Sequence, residues 1–174
     1  MNNQQPPNNS PWSRLALLIG VGGFVFGSWL ERKNLEESKK SRAELESPEE
    51  AEEVYVEIGD LLNEWQPEAE CVSEEDYNDD LANYLDANTD WMIEVRPDTE
   101  VGCPDILIGG LIAIELKTNH KKNEQDRCIG QCLGYSELWI TWIVLIDAQQ
   151  SKVDRLNRKL VDKGHEYIQV WNFV

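Results

Sequence analysis

The sequence predicts an α/β sandwich over residues 73–174, a mixed central β-sheet flanked by helices. Three observations predict it. Apolar spacing switches between helical and strand periods in the order α-β-β-β-α-β-α-β. Trp139 to Asp147 carries the unbroken Ile, Thr, Trp, Val and Leu run of a strand buried on both faces. Gly109-Gly110 joins two short β-prone runs, Asp105 to Ile108 and Ile112 to Lys117, as a hairpin.

Residues 1–14 form a polar start rich in Asn, Gln and Pro, with the composition of a disordered tail. Residues 15–30 carry no charge and read as a transmembrane helix. At 1.5 Å per residue this stretch reaches about 24 Å against a hydrocarbon core of about 30 Å, and Trp12 and Trp29 extend it at the interfaces. A cleaved signal peptide and a buried helix are the rival readings. The weakly basic start and the lack of an A-x-A-like site count against the former. Arg14 precedes the segment while Arg32, Lys33, Lys39, Lys40 and Arg42 follow it, so the expected membrane protein is single-pass with its C-terminal domain facing the cytoplasm. Gly23 and Gly27 make a GxxxG spacing that would let two such helices pack as a homodimer, although a Gly-rich composition explains it equally.

Residues 31–47 are a charged linker of five acids and five bases, the stalk between anchor and domain, and the acidic excess begins after it. Ser47-Pro48-Glu49-Glu50 supplies a cap, a first-turn proline and a capping-box acid for an amphipathic helix over 48–66, with Ala51, Val54, Ile58, Leu61, Leu62 and Trp65 at helical spacing. It packs either on the domain or on a partner. Ser73 caps a helix running to about Asp86, with Tyr77, Leu81, Tyr84 and Leu85 on one face. Strands then follow over 91–96, 105–108 and 112–117, a helix over 123–138, the buried strand, a helix marked by Val153, Leu156, Leu160 and Val161 and stopped by Gly164, and a closing strand over 167–171.

The formal charge of -17 would argue against a nucleic-acid partner were it spread evenly. Instead residues 31–100 carry 24 acids against 6 bases, while residues 101–174 carry 9 of each. Residues 101–174 are therefore neutral, and an acidic stretch before them need not keep them from DNA. Cys71, Cys103, Cys128 and Cys132 lack paired CxxC spacing and read as reduced, mostly buried thiols, with Cys128 and Cys132 one helical turn apart.

Glu115 and Lys117 stand two apart, so on a strand they share a face while Ile114 and Leu116 share the other. Taken alone, this is an edge strand with a salt-bridged polar face. Asp105 changes the balance, because it opens the preceding strand and three ionisable groups then converge at one sheet end. A two-residue turn would pair Asp105 with Ile114 and turn the two acids to opposite faces, so their convergence requires an odd-length turn that includes Leu111, or a bulge. Gln131 and Tyr135, one turn apart and following Arg127, either aim at the same site or form a solvated helix face. Lys121, Lys122, Arg127, Arg155, Arg158, Lys159 and Lys163 are candidate phosphate contacts, and a solvated helix explains the last four equally. His120 and His165 fall in loops and receive no catalytic role.

Pro104-Asp105, nine residues, Glu115-Leu116-Lys117, then a helix bearing Gln131 and Tyr135, resembles the PD-(D/E)xK (restriction-endonuclease-like) nuclease superfamily, and the Gln-x3-Tyr element resembles its RecB-type exonuclease branch. The resemblance covers about Ser73 to Asp147 and implies a restriction-endonuclease-like αβββαβ core. It implies Mg²⁺ or Mn²⁺ held by Asp105, Glu115 and the Leu116 carbonyl, with Lys117 assisting the nucleophile or phosphate. It also implies a supporting acid from the first helix, for which Glu75 and then Glu74 are the candidates. The expectation is a membrane-tethered nuclease acting on DNA; the rivals are a non-catalytic membrane adaptor and a DNA-binding protein built on a nuclease-like scaffold.

Overall fold

Ala51, Val54, Ile58, Leu62 and Trp65 recur at helical spacing and are all buried, which puts one face of the helix α1 (Pro48–Glu64) against a sheet. The computed structural model describes residues 48–118 and 120–174. The polar tail, the anchor, the linker and the Ser47 cap lie outside them. Among the described residues, no helix is long and apolar enough to cross a membrane.

Helix α2 (Glu74–Asn88) starts where Ser73 accepts from the Asp76 amide and Asp76 returns a bond to the Ser73 amide, a complete capping box. Strands β1 (Ile93–Val95), β2 (Ile106–Ile108) and β3 (Ile112–Lys117) follow, then α3 (Lys122–Tyr135), β4 (Ile140–Ile146), α4 (Gln150–Asp162) and β5 (Gln169–Phe173). The five strands form one mixed sheet in chain order: β1, β2 and β3 pair antiparallel, while β4 and β5 join in parallel through helical crossovers.

Alternation along β3 and β4 sorts the layers. Ala113, Glu115 and Lys117 share a face with Ile143 and Leu145. Ile143 and Leu145 pack with Cys128, Ile129 and Cys132 of α3 and with Val153, Leu156 and Leu160 of α4. Trp142 on the opposite face meets Tyr55 of α1 edge-on at 5.2 Å, and Trp65 meets Phe173 at 4.9 Å. The apolar side of the 48–66 helix is therefore spent on this chain's own sheet rather than held out to a partner. Trp65 Nε1 also donates to Asp80 of α2 at 2.9 Å, joining the two helices of that layer.

The hairpin between β2 and β3 decides where the ionisable residues go. Ile106 pairs with Ile114 and Ile108 with Ile112, which leaves Gly109-Gly110-Leu111 as a three-residue loop, the odd length expected. Both glycines have positive φ, 57° and 66°, and the Leu111 amide closes the turn on the Ile108 carbonyl at 2.8 Å. A side chain at Gly109 would meet Trp91 at 3.1 Å as well as straining the backbone.

Two sequence readings are corrected in detail. Val161 is 59 % exposed and belongs to the solvent side of α4, not to its packed face. The closing strand starts two residues later than expected, because Ile168 is turned back on the His165 carbonyl and Tyr167 bonds His165 and Ser136 through its hydroxyl.

Candidate functional site

Beyond Ile106 the strand pair opens, and the Asp105 carboxylate rather than its backbone takes the next amide: Oδ2 accepts from Leu116 N at 2.8 Å. This bond pins Asp105 beside β3. Lys117 Nζ then lies 3.4 Å from Asp105 Oδ2, 3.0 Å from Glu115 Oε1, 2.9 Å from Glu74 Oε1 and 2.6 Å from the Leu116 carbonyl. Four oxygens converge on one ammonium. Glu74 also accepts from the Thr118 amide at 3.2 Å, so the first turn of α2 is fastened to the end of β3.

The cluster is deeply placed and over-supplied with acid. Glu115 is 1 % exposed and Lys117 9 %. Three carboxylates against one ammonium leave two negative charges when all are ionised. Burial first, and the charge of Asp105 second, push the Glu115 carboxyl up to about 7 against the pull of Lys117. Burial pulls Lys117 down, but Glu115, Asp105 and Glu74 outweigh it, and its ammonium is held in the charged form. Glu115 Oε2 is buried with no hydrogen-bond partner, and so is Gln131 Oε1. A buried acceptor without a partner is costly in a folded chain, and a donor, a water or a cation beside it would relieve that cost.

This donor set fits a hard divalent cation. Asp105, Glu115 and the Leu116 carbonyl offer oxygen, the ligand type Mg²⁺ and Mn²⁺ prefer, and the surplus charge is of the right sign and size. Among the described residues no three His, Cys, Asp or Glu side chains form a ready-made cage. Here the carboxylates instead close on Lys117 Nζ, the cation the chain itself supplies.

The remaining candidates divide. Glu74 occupies the position expected first of Glu75, while Glu75 turns outward to Arg96 at 3.0 Å. Helical spacing explains the choice: Glu74, Asn78, Leu81 and Leu85 lie on one stripe, the last three buried, and Glu75 is a hundred degrees around from it. Tyr135 is buried, but its hydroxyl donates to the Cys103 carbonyl at 3.0 Å and also bonds the Gln131 amide, so this pair braces the loop just before Asp105. Burial, then the charge of Glu115, raises the Tyr135 hydroxyl above its ordinary range and keeps it a donor. Arg127 points to solvent and pairs with Glu124. On α4, Arg155 bonds Gln125 and the His120 carbonyl, and Lys159 bonds Asp126, so these two cations cross-link helices. Cys128 and Cys132 are buried thiols in contact, whereas Cys71 is half-buried and Cys103 exposed.

Two residues near the site carried no signal in the linear sequence. Asn78, 1 % exposed, reaches toward the Asp105 carbonyl, and its Oδ1 is buried without a partner. The Arg96 amide donates to the Asp105 carbonyl at 3.0 Å, and Arg96 holds a left-handed backbone, φ 48°. The packing of α2 reveals the first and the strand register the second.

The fold and site thus define an α/β domain whose five-stranded mixed sheet, flanked by four helices, carries an acidic oxygen cluster around one lysine at a strand end. No family model, curated protein or solved structure matches the chain.

Proposed function

We propose that this chain is a membrane-tethered, metal-dependent nuclease that hydrolyses phosphodiester bonds of DNA, with Asp105, Glu115 and Lys117 at its centre. One observation carries the reading. The three-residue Gly109-Gly110-Leu111 loop sets the register that brings both acids onto the face of Lys117, with a buried Glu115 oxygen left empty. Three carboxylates around one ammonium, with a buried oxygen unpaired, supply more acid than is needed to balance Lys117. The resemblance of Pro104-Asp105 and Glu115-Leu116-Lys117 to the PD-(D/E)xK pattern supports the same reading and supplies the choice of DNA. The tether rests on the sequence of residues 15–30, with the domain on the cytoplasmic side.

Asp105, Glu115 and the Leu116 carbonyl would hold Mg²⁺ or Mn²⁺, which when bound acidifies water and polarises a phosphate. Lys117, held charged by its carboxylates, is the donor that stabilises negative charge on the attacking oxygen or the phosphate. The Leu116 amide keeps Asp105 aimed before substrate arrives, and Glu74 orients Lys117 from α2. Tyr135 supports the chain leading into Asp105 without reaching the reacting atoms.

The test is cleavage of single- and double-stranded DNA by the full chain in detergent with Mg²⁺, Mn²⁺ or EDTA, beside Asp105→Ala. Metal-dependent cleavage that the variant lacks is the expected result. A folded chain that cuts neither form with either metal overturns the proposal, and binding that survives Asp105→Ala without any cleavage by the parent would favour the DNA-binding scaffold.

A further inference from the structure

We infer that Arg96 is the phosphate-binding residue at the rim of this site, parked on Glu75 until a nucleic-acid backbone takes the place of that carboxylate. The inference rests on the nuclease reading and adds to it the group that receives the substrate.

The first ground is position. Val95 pairs with Ile106, and one step further the Arg96 amide donates to the Asp105 carbonyl at 3.0 Å. Ile106 pairs in turn with Ile114, so Arg96, Asp105 and Glu115 stand at neighbouring positions across three strands. Arg96 is thus a cation one strand away from the acid cluster, and the charges of Glu75, Asp79 and Asp105 all reach it.

The second ground is availability. Lys117 is buried under carboxylates and can serve only what enters the centre, whereas the Arg96 side chain is 41 % exposed. Its partner Glu75 is 69 % exposed, and an ion pair that open to water is cheap to exchange. The bond to Glu75 runs through one terminal nitrogen, while a guanidinium carries five N–H donors in a plane suited to phosphate oxygens. A DNA backbone approaching Glu74, Glu75, Asp105 and Glu115 meets charge of its own sign and needs a cation at the mouth to counter it.

The third ground is the backbone. A positive φ disfavours any residue with a β-carbon, and glycine would hold φ 48° without cost. A bulky arginine kept in that conformation is explained by what its side chain does, as strained residues beside functional sites commonly are.

The test uses the full chain and a fluorescein-labelled DNA duplex, with binding read by anisotropy in EDTA across a salt series and cleavage read separately in Mg²⁺. Arg96→Gly is expected to melt no lower than the parent, to weaken binding about tenfold and to shrink the slope of log K on log salt by about 0.9, the share of one lost phosphate contact. Arg96→Lys should restore that slope. KM should rise while kcat stays within about twofold. Unchanged affinity and salt slope in a folded Arg96→Gly protein that still cuts DNA would overturn this inference alone. A parent that neither binds nor cuts would overturn it together with the nuclease reading.

Discussion

The two halves of β3 are equally buried and do opposite things. Ile112, Ala113 and Ile114 fill both faces of the sheet with apolar side chains, while Glu115, Leu116 and Lys117 continue the same strand, in the same parallel pairing with β4, and bring two charges into the protein. The first half stabilises the domain by removing apolar surface from water, about 1.5–3 kcal/mol for each fully buried isoleucine. The second half is costly: a carboxylate and an ammonium are desolvated, a second and third carboxylate crowd in, and one oxygen is left without a partner. A strand selected only for stability would have continued as it began. Burial stabilises the fold in one half and opposes it in the other, the half on which the proposed function rests.

The largest expected effect breaks the charged half outright. Lys117→Met removes the cation that Glu74, Asp105 and Glu115 share and leaves the buried Glu115 beside Asp105 without a counter-charge. Breaking a buried pair in this way costs about 3–5 kcal/mol, and loss of the donor should lower cleavage by about a thousandfold or more. Thermal melting and single-turnover cleavage of the same preparation check both; a variant as stable as the parent would mean the cluster is more hydrated than its burial indicates.

Ile114→Ala is the matched change in the apolar half. Ile114 is fully buried, and truncation should cost about 2–5 kcal/mol by denaturant titration. Below its melting range the variant should keep nearly parental kcat, because no atom of the centre is removed. Loss of kcat in a still-folded variant would show that strand packing, and not only register, holds the acids in place.

Glu115→Gln should move stability the other way. The folded chain holds the Glu115 proton up to about pH 7 against an ordinary 4.5, so it binds this proton more tightly than the unfolded chain does. The stabilisation is complete below pH 4.5 and is lost as pH rises through about 7. Glutamine cannot ionise, so the variant should gain on the parent across that window by up to about 3 kcal/mol, with no gain at pH 4, while losing cleavage. Melting curves at pH 4, 6 and 8 test the sign. A gain that does not vary with pH would assign it to packing instead.

The difference between the halves was partly legible in the sequence. Helix and strand periods, with Gly109-Gly110 marking the hairpin, located the described elements and gave their order; the signal was strongest for β3, β4 and the helices, which bury continuous runs or faces. The expected convergence of Asp105 and Glu115 required an odd-length loop, because side chains alternate along a strand, and Gly109-Gly110-Leu111 has that length. The rest depended on contacts between distant segments. Tyr135 stands one turn from Gln131 as the pattern suggested, yet what its hydroxyl meets is a carbonyl thirty-two residues back, and no periodicity encodes that. Arg96 became visible only with the β1–β2 register, because a three-residue strand has too little alternation to declare its faces.

Glu74 and Glu75 sharpen the comparison at its smallest scale, two identical side chains one position apart. Both are first-turn acids that favour the α2 N-terminus to a similar small degree, and both make exposed or half-exposed ion pairs, so neutralising either should change stability by no more than about 1 kcal/mol. Their effects on cleavage should separate. Glu74→Gln weakens the contact that orients Lys117 and the tie to the Thr118 amide, and kcat should fall about tenfold with KM little changed. Glu75→Gln frees Arg96 from its parked position, so kcat should hold while KM for DNA falls. Matched steady-state kinetics on the two variants decide it. Equal losses in both would mean that the first turn of α2 acts through its summed charge, and that the helical stripe placing Glu74 on Lys117 carries no special role.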